Sequence, residues 1–417
     1  MPLFLFVYPF FYGSLLFLLR IISPLQPKIR KGLRLRSGKI KPWLNYPENS
    51  QPLWIHCASG EFEYAKPIIR EIKSKWPQQK VLITFFSPSV LSSLEKAKDV
   101  DFFCPLPWDK KSEFNEFIEH HKPKALLIAR TDLWPNMIEA CARKKVPSLL
   151  FSKTVNTKKS GLAKWVEKKL LKKITSIFCV SPEDRDLLLK QLKNYTEVHS
   201  AGDTRYDQCF FRLKHGQTLK PINNFYRPIF VIGSSWTGDE EVLLPAIKEF
   251  KNDISFIIAP HEPTNSHLKK LEKKLDSLGL NYSRYSKTQS WNPESVLLID
   301  QIGILADLYA WGNFSFIGGS MDRSVHSVME SLAQGCLTFV GPNHHNNREA
   351  LLFQKINVDQ IQPVQVVHDT DELTQKLRTS LPLWSSQQKI HLQQEIQKKL
   401  GASQIVIKWI CNHTELK

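Results

Sequence analysis

The sequence predicts an α/β protein in which two doubly wound, Rossmann-like domains follow an N-terminal membrane anchor. The chain has 417 residues, which is too long for one ordinary hydrophobic core. Short apolar runs alternate with amphipathic helical segments, a pattern typical of parallel sheets with helices on both faces. The alternation stops once, between residues 202 and 228, and then resumes. We therefore predict an anchor at 1–24, a first domain at 25–205, a linker at 206–228, a second domain at 229–385, and a C-terminal helix at 386–417 that packs back on the first domain.

The anchor is predicted from an uncharged apolar stretch, residues 2–19, close to the roughly 20 residues that span a bilayer. Basic residues follow it, and the positive-inside rule assigns that end to the cytoplasm. A cleaved signal peptide would carry its charge before the apolar run. We expect an uncleaved anchor that either spans the membrane or lies in its interface, with a buried core helix as the alternative. The basic residues are Lys28, Arg30, Lys31, Arg34, Arg36, Lys39 and Lys41.

The formal net charge of +17 favours anionic partners, which include nucleic acid, anionic lipid and phosphorylated substrates. Between Gly161 and Ile174, apolar residues recur at helical spacing among five lysines. Such a basic amphipathic helix suits an anionic membrane face, although a surface helix with solvated lysines fits equally well. The seven cysteines are scattered without a CxxC pair, which favours buried thiols in a reducing compartment over disulfides or a zinc site.

Two series of strands define the two domains. In the first we predict strands at 53–57, 80–86, 125–129, 147–152, 176–180 and 197–200, with helices between them such as 62–75 and 113–120. In the second we predict strands at 229–233, 255–259, 296–299, 314–317 and 337–340. Ligands of such sheets bind beyond the carboxyl ends of the strands, so two facing sheets would offer a cleft between the domains. The residues directly after each strand are therefore candidates for the functional site.

In the first domain, carboxylates follow two of these strands. The first strand is followed by Ser59, Gly60 and Glu61, where Gly60 would permit a tight turn and Glu61 could act as a general base. The third strand is followed by Arg130, which could hold an anion, and Asp132, which could orient an acceptor hydroxyl. Each carboxylate has a simpler explanation, because acidic residues also stabilise the first turns of helices and cap them.

In the second domain, turns able to bind anions follow the strands. The turn that contains Ser234 could cradle a phosphate with its amides, and His261 could bind an anion if protonated. Gly318 and Gly319 would let a ligand approach the backbone closely. We expect the next helix to begin near His326.

That helix would bring His326 and Glu330, which are four residues apart, onto one face. There Glu330 could accept hydrogen bonds from a ribose diol. The same pair could instead bind a metal, but it lacks a third ligand at helical spacing.

These residues lie in stretches that resemble one known family, the Kdo (3-deoxy-D-manno-octulosonic acid) transferases of lipopolysaccharide synthesis. The resemblance covers nearly the whole chain, and its specificity comes from the order of many short matches. They are WIHCASGEFEYAKP, TFFSP, RTDLWPN, AGDTRYD, GSSWTGDEE, APHEP, DQIGILADLY, FIGGS, VHSVMES and GPNHHNNREA.

The resemblance implies a GT-B fold, an anchor at the cytoplasmic face of the inner membrane, and metal-independent, inverting transfer of Kdo. The implied partners are the donor CMP-Kdo, a lipid A precursor with its 6′-hydroxyl as acceptor, and anionic inner-membrane lipid, without nucleic acid or a cofactor. The implied catalytic residues are Glu61 and Asp132. The implied donor-site residues are Ser234, His261, Gly318, Gly319, His326, Glu330 and Asn346, and the acceptor or anion site would use Ser59, Gly60, Arg130 and Arg205.

The sequence departs from the family pattern near the expected base. The usual S-x-G-E is shortened to Ser59-Gly60-Glu61, so Glu63 could compete for the role, and Arg130 replaces a family glutamate. Two other functions are consistent with the sequence. One is a GT-B transferase that uses another nucleotide sugar, such as a UDP-sugar. The other is a non-catalytic basic protein that binds membranes or nucleic acid.

Overall fold

The computed structural model describes residues 2–37, 40–156, 161–193, 195, 197–216, 219–220 and 227–416. The chain forms two compact units. Unit 1 comprises Met1–Gln208 and Lys399–Lys417, and unit 2 comprises Cys209–Lys398. Each unit is built on one parallel sheet of seven strands among the described residues.

The sheet of unit 1 has the strand order β3-β2-β1-β4-β5-β6-β7. Its strands are β1 (Leu53–Cys57), β2 (Val81–Phe85), β3 (Phe102–Pro105), β4 (Ala125–Ala129), β5 (Ser148–Lys153), β6 (Ser176–Cys179) and β7 (Val198–Ser200). Its helices in this part of the chain are α1 (Pro2–Ile22), α2 (Pro27–Arg34), α3 (Phe62–Lys75), α4 (Leu91–Leu94), α5 (Lys111–His121), α6 (Pro135–Arg143), α7 (Gly161–Leu171) and α8 (Pro182–Leu192). The six predicted strands are present, whereas β3 is not among the predicted strands because its sequence, FFCP, ends in proline.

The core of unit 1 lies on both faces of this sheet. Every residue of β1 and β4 is buried, as expected for parallel strands covered by helices on both faces. Alternate residues of β1 enter opposite clusters: Leu53, Ile55 and Cys57 pack on one side, and Trp54 packs on the other. Strands β1 and β4 pair in parallel, so their carboxyl ends are adjacent.

Unit 2 repeats the architecture with the strand order β10-β11-β9-β8-β12-β13-β14. Its strands are β8 (Ile229–Ser235), β9 (Ser255–Pro260), β10 (Tyr282–Arg284), β11 (Val296–Leu298), β12 (Phe314–Ile317), β13 (Leu337–Val340) and β14 (Val364–Val366). Its helices include α10 (Thr237–Phe250), α11 (Asn265–Ser277), α12 (Leu305–Leu308), α13 (Met329–Ala333), α14 (Arg348–Phe353), α15 (Thr370–Ser380) and α16 (Ser386–Gln397). Phe230, Phe314 and Phe339 pack ring against ring at its centre.

The N-terminal helix α1 is long and apolar enough to cross a membrane, and from Tyr8 onward most of its described side chains are exposed. Phe10, Phe17 and Ile21 are each more than half exposed. Tyr12 is the exception: it is buried, its hydroxyl accepts a hydrogen bond from the amide of Asp109 at 3.1 Å, and its ring meets that of Trp134 edge-on. The middle of α1 is therefore attached to unit 1.

Two segments differ from the prediction. The connector predicted at 202–228, with a linker at 206–228, contains the helix α9 (Thr204–Lys214), and residues 217–218 and 221–226 lie outside the described residues. The side chain of Asp203 caps this helix by accepting from the amide of Arg205, and Tyr206 is buried. The predicted C-terminal helix at 386–417 is two helices. Only the second, α17 (Ala402–His413), packs on α3 of unit 1, whereas α16 belongs to unit 2 and packs on α13.

Candidate functional site

The turn between β1 and α3 carries the predicted base. Glu61 directly precedes α3, and its half-buried carboxylate accepts a hydrogen bond from the amide of Ser59 at 2.9 Å. The Ser59 hydroxyl lies 3.0 Å from that of Ser89. Gly60 has no left-handed φ, and a Cβ there would meet nothing within 4 Å. The turn is therefore not one that requires glycine, and the open space beside Gly60 is available to a ligand.

Glu63, the alternative base, is engaged elsewhere. Its carboxylate forms an ion pair with Lys66 on the same helix and accepts from the side-chain amide of Gln208 at 3.3 Å. Both oxygens of Glu63 would have to give up these partners before a substrate hydroxyl could reach the carboxylate. The geometry therefore favours Glu61 over Glu63 as the base.

Asp132 lies at the end of a buried chain of hydrogen bonds that the sequence did not reveal. Its Oδ2 is 2.9 Å from Nε2 of His56, which is fully buried, and accepts from the indole of Trp134 at 3.0 Å. On the other side of the ring, Nδ1 of His56 is 3.0 Å from Oγ1 of Thr84, which accepts from the indole of Trp54 at 2.8 Å.

An indole N–H can only donate, so the Thr84 hydroxyl accepts from Trp54 and can give its own hydrogen to Nδ1 of His56. The backbone carbonyl of Thr84, 3.1 Å from the same nitrogen, can only accept. When the hydroxyl is the partner of Nδ1, the imidazole carries its hydrogen on Nε2 and donates it to Asp132. Burial alone would raise the pKa of Asp132, but the hydrogen bonds from His56 and Trp134 outweigh it and lower the pKa. Asp132 is thus held as an oriented carboxylate.

The two carboxylates lie near one point at the carboxyl end of β1. The pKa of the Cys57 thiol is raised, mainly by burial and further by the negative charges of Glu61 and Asp132. Cys57 ends β1, and Ala129 ends the neighbouring strand β4, so the two turns that carry the carboxylates are adjacent. The structure therefore brings together the two residues predicted as catalytic.

Two guanidinium groups flank Tyr64, one helical turn after Glu61. Arg130 donates to the Tyr64 hydroxyl at 2.7 Å and lies 4.9 Å from the centre of its ring, and Arg205 lies 5.9 Å from the same ring. Arg130 has a φ of 63°, in the left-handed region, which turns the chain sharply after β4. This pair of cations beside Glu61 could bind an anionic group of an acceptor.

In unit 2, the turn after β12 is packed too closely to admit side chains. A Cβ on Gly318 would lie 2.2 Å from the carbonyl oxygen of Ser234, and Gly319 has a φ of +79°. The Gly318 amide donates to the carbonyl of Gly233 at 2.8 Å. These glycines are required by close approach of backbone to backbone within the protein, whereas the sequence pattern predicts close approach of a ligand.

A buried carboxylate binds three backbone amides next to the turn that contains Ser234. Asp239, which is fully buried in the first turn of α10, accepts from the amides of Trp236, Gly319 and Met321 at 2.9, 2.7 and 3.1 Å. Burial raises the pKa of Asp239 although these three amides act to lower it. These three amides are therefore not free for a phosphate, and a cradle formed by the amides of the turn itself stays a prediction. The sequence signal for the Asp239 contacts was an acidic residue three positions after the helix cap.

A stack of rings stands beside this turn. Trp236, His261 and His326 stack with centroid distances of 4.6 and 4.4 Å, and the Arg323 guanidinium lies 3.6 Å from the Trp236 ring centre. Burial, and then the neighbouring His261, lower the pKa of His326. The structure thus joins two predicted residues to Trp236 and Arg323, which sequence reasoning missed. Rings and a guanidinium in this arrangement suit a planar or anionic ligand.

His326 and Glu330 do not share a helix face, contrary to the prediction. Helix α13 begins only at Met329, and His326 precedes it in an irregular segment. Neighbouring backbone holds that segment: the Val325 amide donates to the carbonyl of Asn343 at 3.0 Å, and the side chain of Asn347 donates to the carbonyl of His326 at 2.9 Å. These bonds replace those that a helix would make.

The last two predicted donor residues lie around this segment. The Glu330 carboxylate accepts from the Ser327 hydroxyl at 2.5 Å and lies 3.8 Å from the guanidinium of Arg212. The side chain of Asn346 donates to the carbonyl of Val325 at 3.5 Å. The predicted residues of unit 2 therefore come from three turns, after β8, β12 and β13, together with His261 after β9. Among the described residues there is no group of three His, Cys, Asp or Glu side chains that could hold a metal ion.

Comparison with known proteins identifies relatives of the chain. The family model described as 3-Deoxy-D-manno-octulosonic-acid transferase (kdotransferase) matches residues 31–208. A 3-deoxy-D-manno-octulosonic acid transferase from Aquifex aeolicus is 31% identical over 301 residues, which cover 70% of this chain and 76% of that protein. One from Haemophilus influenzae is 24% identical over 350 residues, covering 78% and 80%.

Among solved structures, UDP-GlcNAc 2-epimerase from Neisseria meningitidis bound to UDP-GlcNAc matches 86% of this chain and 99% of that one. Its TM-score is 0.61 and its sequence identity is 18%. At this identity the likeness concerns the fold alone, and it confirms the predicted class of two parallel-sheet α/β domains.

Proposed function

The chain belongs to the family of 3-deoxy-D-manno-octulosonic acid (Kdo) transferases and is a glycosyltransferase, and from this we propose its substrates and mechanism. The proposed reaction moves Kdo from CMP-Kdo to the 6′-hydroxyl of a lipid A precursor, lipid IVA, in lipopolysaccharide core biosynthesis. The transfer inverts the anomeric centre, and neither a metal nor another cofactor takes part.

The observation that carries this proposal is the pair of carboxylates at the carboxyl end of β1. Glu61 stands on a rigid helix start beside open space, so an acceptor hydroxyl can reach its carboxylate. Glu61 takes the proton of the 6′-hydroxyl while that oxygen attacks the anomeric carbon of Kdo. The bond from that carbon to the CMP phosphate breaks on the opposite face, and the phosphate keeps the electron pair.

Asp132 has a supporting role in this mechanism. Its orientation is fixed by His56 and Trp134, and its lowered pKa keeps it ionised at neutral pH. An ionised carboxylate near the acceptor can accept a hydrogen bond from a second hydroxyl and so fix the sugar relative to Glu61. Arg130 and Arg205 beside Tyr64 are positioned to bind a phosphate of the acceptor.

The donor is proposed to bind to unit 2. CMP leaves as a phosphate monoester, so positive charge near its phosphate stabilises the transition state. Arg323, which lies over the Trp236 ring, can supply that charge, and a ring nitrogen of His261 can donate a hydrogen bond to the phosphate. Glu330 can bind the ribose diol, in exchange for its hydrogen bond from Ser327.

A lipid acceptor would explain why the enzyme carries a membrane segment. We propose that α1 attaches the enzyme to the cytoplasmic face of the inner membrane. The helix α7 would add contact with anionic lipid, because Leu162 and Trp165 are exposed among its lysines. The two contacts together would account for the excess of basic residues.

The test is a transfer assay with the purified full-length protein, CMP-Kdo and lipid IVA, with mass spectrometry of the lipid product. We expect a mass increase of one or more Kdo units, and the increase gives their number. No product, together with thermal stabilisation by UDP and none by CMP, would redirect the assignment to another nucleotide sugar. No product with normal binding to anionic vesicles would favour a non-catalytic role.

The role of Glu61 has a matched control two residues away. Glu61→Gln should lose at least about 100-fold in kcat while the affinity for CMP stays unchanged, as expected when a general base is removed. Glu63→Gln should keep most of the activity. If Glu63→Gln is the inactive variant and Glu61→Gln transfers normally, the roles are reversed.

A further inference from the structure

An apolar cavity of ≈ 170 Å³ lies in unit 1 between helix α2 and the loops that follow β2 and β3. Nothing in the proposed mechanism uses it. Most of its wall is hydrocarbon, contributed by Leu19, Ile29, Leu33, Phe86, Pro88 and Trp108. Lys28, Arg36 and Ser87 contribute the few polar atoms of the wall, and the Arg36 guanidinium is already bound by backbone carbonyls. The cavity therefore suits a hydrocarbon occupant better than a sugar or phosphate group.

Helix α2 closes the cavity with an amphipathic face. Ile29 and Leu33 point inward and are half-buried, while Lys28, Arg30 and Lys31 on the same helix are exposed. An apolar interior below a basic rim matches a molecule that has a hydrocarbon chain and an anionic headgroup.

Arg36, just after α2, fastens this helix to the domain. Its guanidinium is largely buried and donates to the carbonyls of Gly32, Leu106, Phe85 and Phe86 at 2.9 to 3.1 Å. Burial lowers the pKa of Arg36 to about 10. The cavity is therefore a fixed part of unit 1, because its helical wall is tied to the ends of β2 and β3.

The cavity wall touches the turn that holds Glu61. The amides of Phe86 and Ser87 both donate to the carbonyl of Ala58, at 3.1 and 2.9 Å. The Ser87 hydroxyl contacts that of Ser89, which contacts Ser59.

The same wall also leads to Asp132. The Phe86 ring lies 5.0 Å from that of Trp134, which donates to Asp132. A hydrocarbon chain in this cavity would thus contact residues that themselves contact the turn of Glu61 and the partner of Asp132.

We propose that this cavity receives one hydrocarbon chain of the lipid acceptor and thereby positions the acceptor hydroxyl at Glu61. The inference rests on the proposed function and names a further contact for the same substrate. Leu19 of the exposed apolar helix α1 lines the cavity, so a chain can enter from the lipid phase. Moving a chain from lipid into an apolar cavity changes its solvation little. The cavity therefore acts mainly by orientation, and its loss should reduce turnover more than membrane binding.

Gly32 provides the test because it lines the cavity from α2. A Cβ at this position would lie 3.8 Å from Pro88 Cδ, so alanine fits and a larger side chain must enter the cavity. Gly32→Phe fills the space, and Gly32→Ala is the matched control. The assay compares lipid IVA in detergent micelles with its fully deacylated, water-soluble counterpart.

We expect Gly32→Phe to lower kcat/KM for the acylated acceptor by about tenfold or more, an effect of mispositioning. Its activity toward the deacylated acceptor should match that of the wild type. Gly32→Ala should behave like the wild type with both acceptors. Equal activity of the two variants with lipid IVA would overturn the inference, whereas absence of product from the wild type with both acceptors would overturn the proposed function instead.

A second measurement does not depend on turnover. Lipid IVA carrying a diazirine near the end of one acyl chain is irradiated with the wild-type protein, and the labelled peptides are mapped. We expect label in residues 29–33, 86–88 or at Trp108, competed by unlabelled lipid IVA and lost in Gly32→Phe. Equal labelling by a phospholipid with the same diazirine, without competition by lipid IVA, would assign the cavity to bulk lipid and refute the proposal.

Discussion

Thr84→Val tests the buried hydrogen-bond chain that ends at Asp132. Valine has the shape of threonine, so the substitution removes one hydroxyl without opening a cavity. Two consequences follow. The indole N–H of Trp54 loses its acceptor at 2.8 Å inside the core, and Nδ1 of His56 loses the hydroxyl that donates to it at 3.0 Å.

The size of the effect follows from these two losses. A buried donor without a partner costs about 1–3 kcal/mol, and we expect the free energy of unfolding of unit 1 to fall by that amount. Nδ1 of His56 still faces the backbone carbonyl of residue 84 at 3.1 Å, to which it can only donate. The imidazole must therefore move its hydrogen from Nε2 to Nδ1 or bind a second proton. The first change would leave Asp132 facing a lone pair.

The assays are urea denaturation followed by tryptophan fluorescence, and ¹⁵N NMR of protein labelled in histidine, with His56 assigned through a His56→Gln variant. Thr84→Ser is the control, because it keeps the hydroxyl and should retain the Nε2–H tautomer. Thr84→Val should show Nδ1 protonated and should slow Kdo transfer. An unchanged ¹⁵N pattern, together with a loss of stability no larger than that of Thr84→Ser, would refute the hydrogen-bond chain from Trp54 to Asp132.

Three further predictions concern other parts of the molecule. Gly318→Ala forces a Cβ against the backbone of the neighbouring strand β8 and should destabilise unit 2 by about 1–3 kcal/mol in thermal denaturation. Gly238→Ala, whose Cβ meets the exposed side chain of Asp322, should cost less, and equal losses would contradict this. Glu330→Ala should weaken CMP binding about 10- to 100-fold in calorimetry, and unchanged affinity would exclude the ribose contact. Burial and then the neighbouring imidazole lower the pKa of His121 to about 4, below its usual 6.5. The contribution of neutral His121 to the free energy of unfolding is therefore complete above pH 6.5, and about 3 kcal/mol is lost as the pH falls to 4. His121→Gln should remove that part of the loss of stability in acid, and an unchanged dependence of stability on pH would assign the loss to other groups.

Most strands of both units were predictable because parallel sheets require continuous apolar runs, which are visible in a sequence. The edge strands β3, β10 and β14 were not among the predicted strands. The residues at their carboxyl ends were predictable for the same reason, since the topology fixes which turns are adjacent. Glu61 and Asp132 were found in this way. Their neighbourhood at the end of β1 follows from the strand order and needs no knowledge of side-chain contacts.

Contacts between distant segments could not be predicted. Thr84 and Trp54 lie within strands and resemble ordinary core residues, and only the register of β1 against β2 brings them together with His56. The non-helical segment before α13 has the same origin, because its hydrogen bonds come from a loop about 20 residues away. The helical spacing of His326 and Glu330 could not show that hydrogen bonds to this loop would keep His326 out of the helix.

The attachment of α1 at Tyr12 has a practical consequence for producing the protein. Removing the first 24 residues to obtain a soluble fragment would also remove the hydroxyl that accepts from the amide of Asp109 and the ring that packs on Trp134. Asp109, whose pKa burial raises to about 6, would become solvated beside the start of α6. Because Trp134 also donates to Asp132, the damage would extend to the proposed catalytic site. A soluble version of the protein should therefore keep α1 and replace its outward-facing phenylalanines, Phe10 and Phe17, with polar residues.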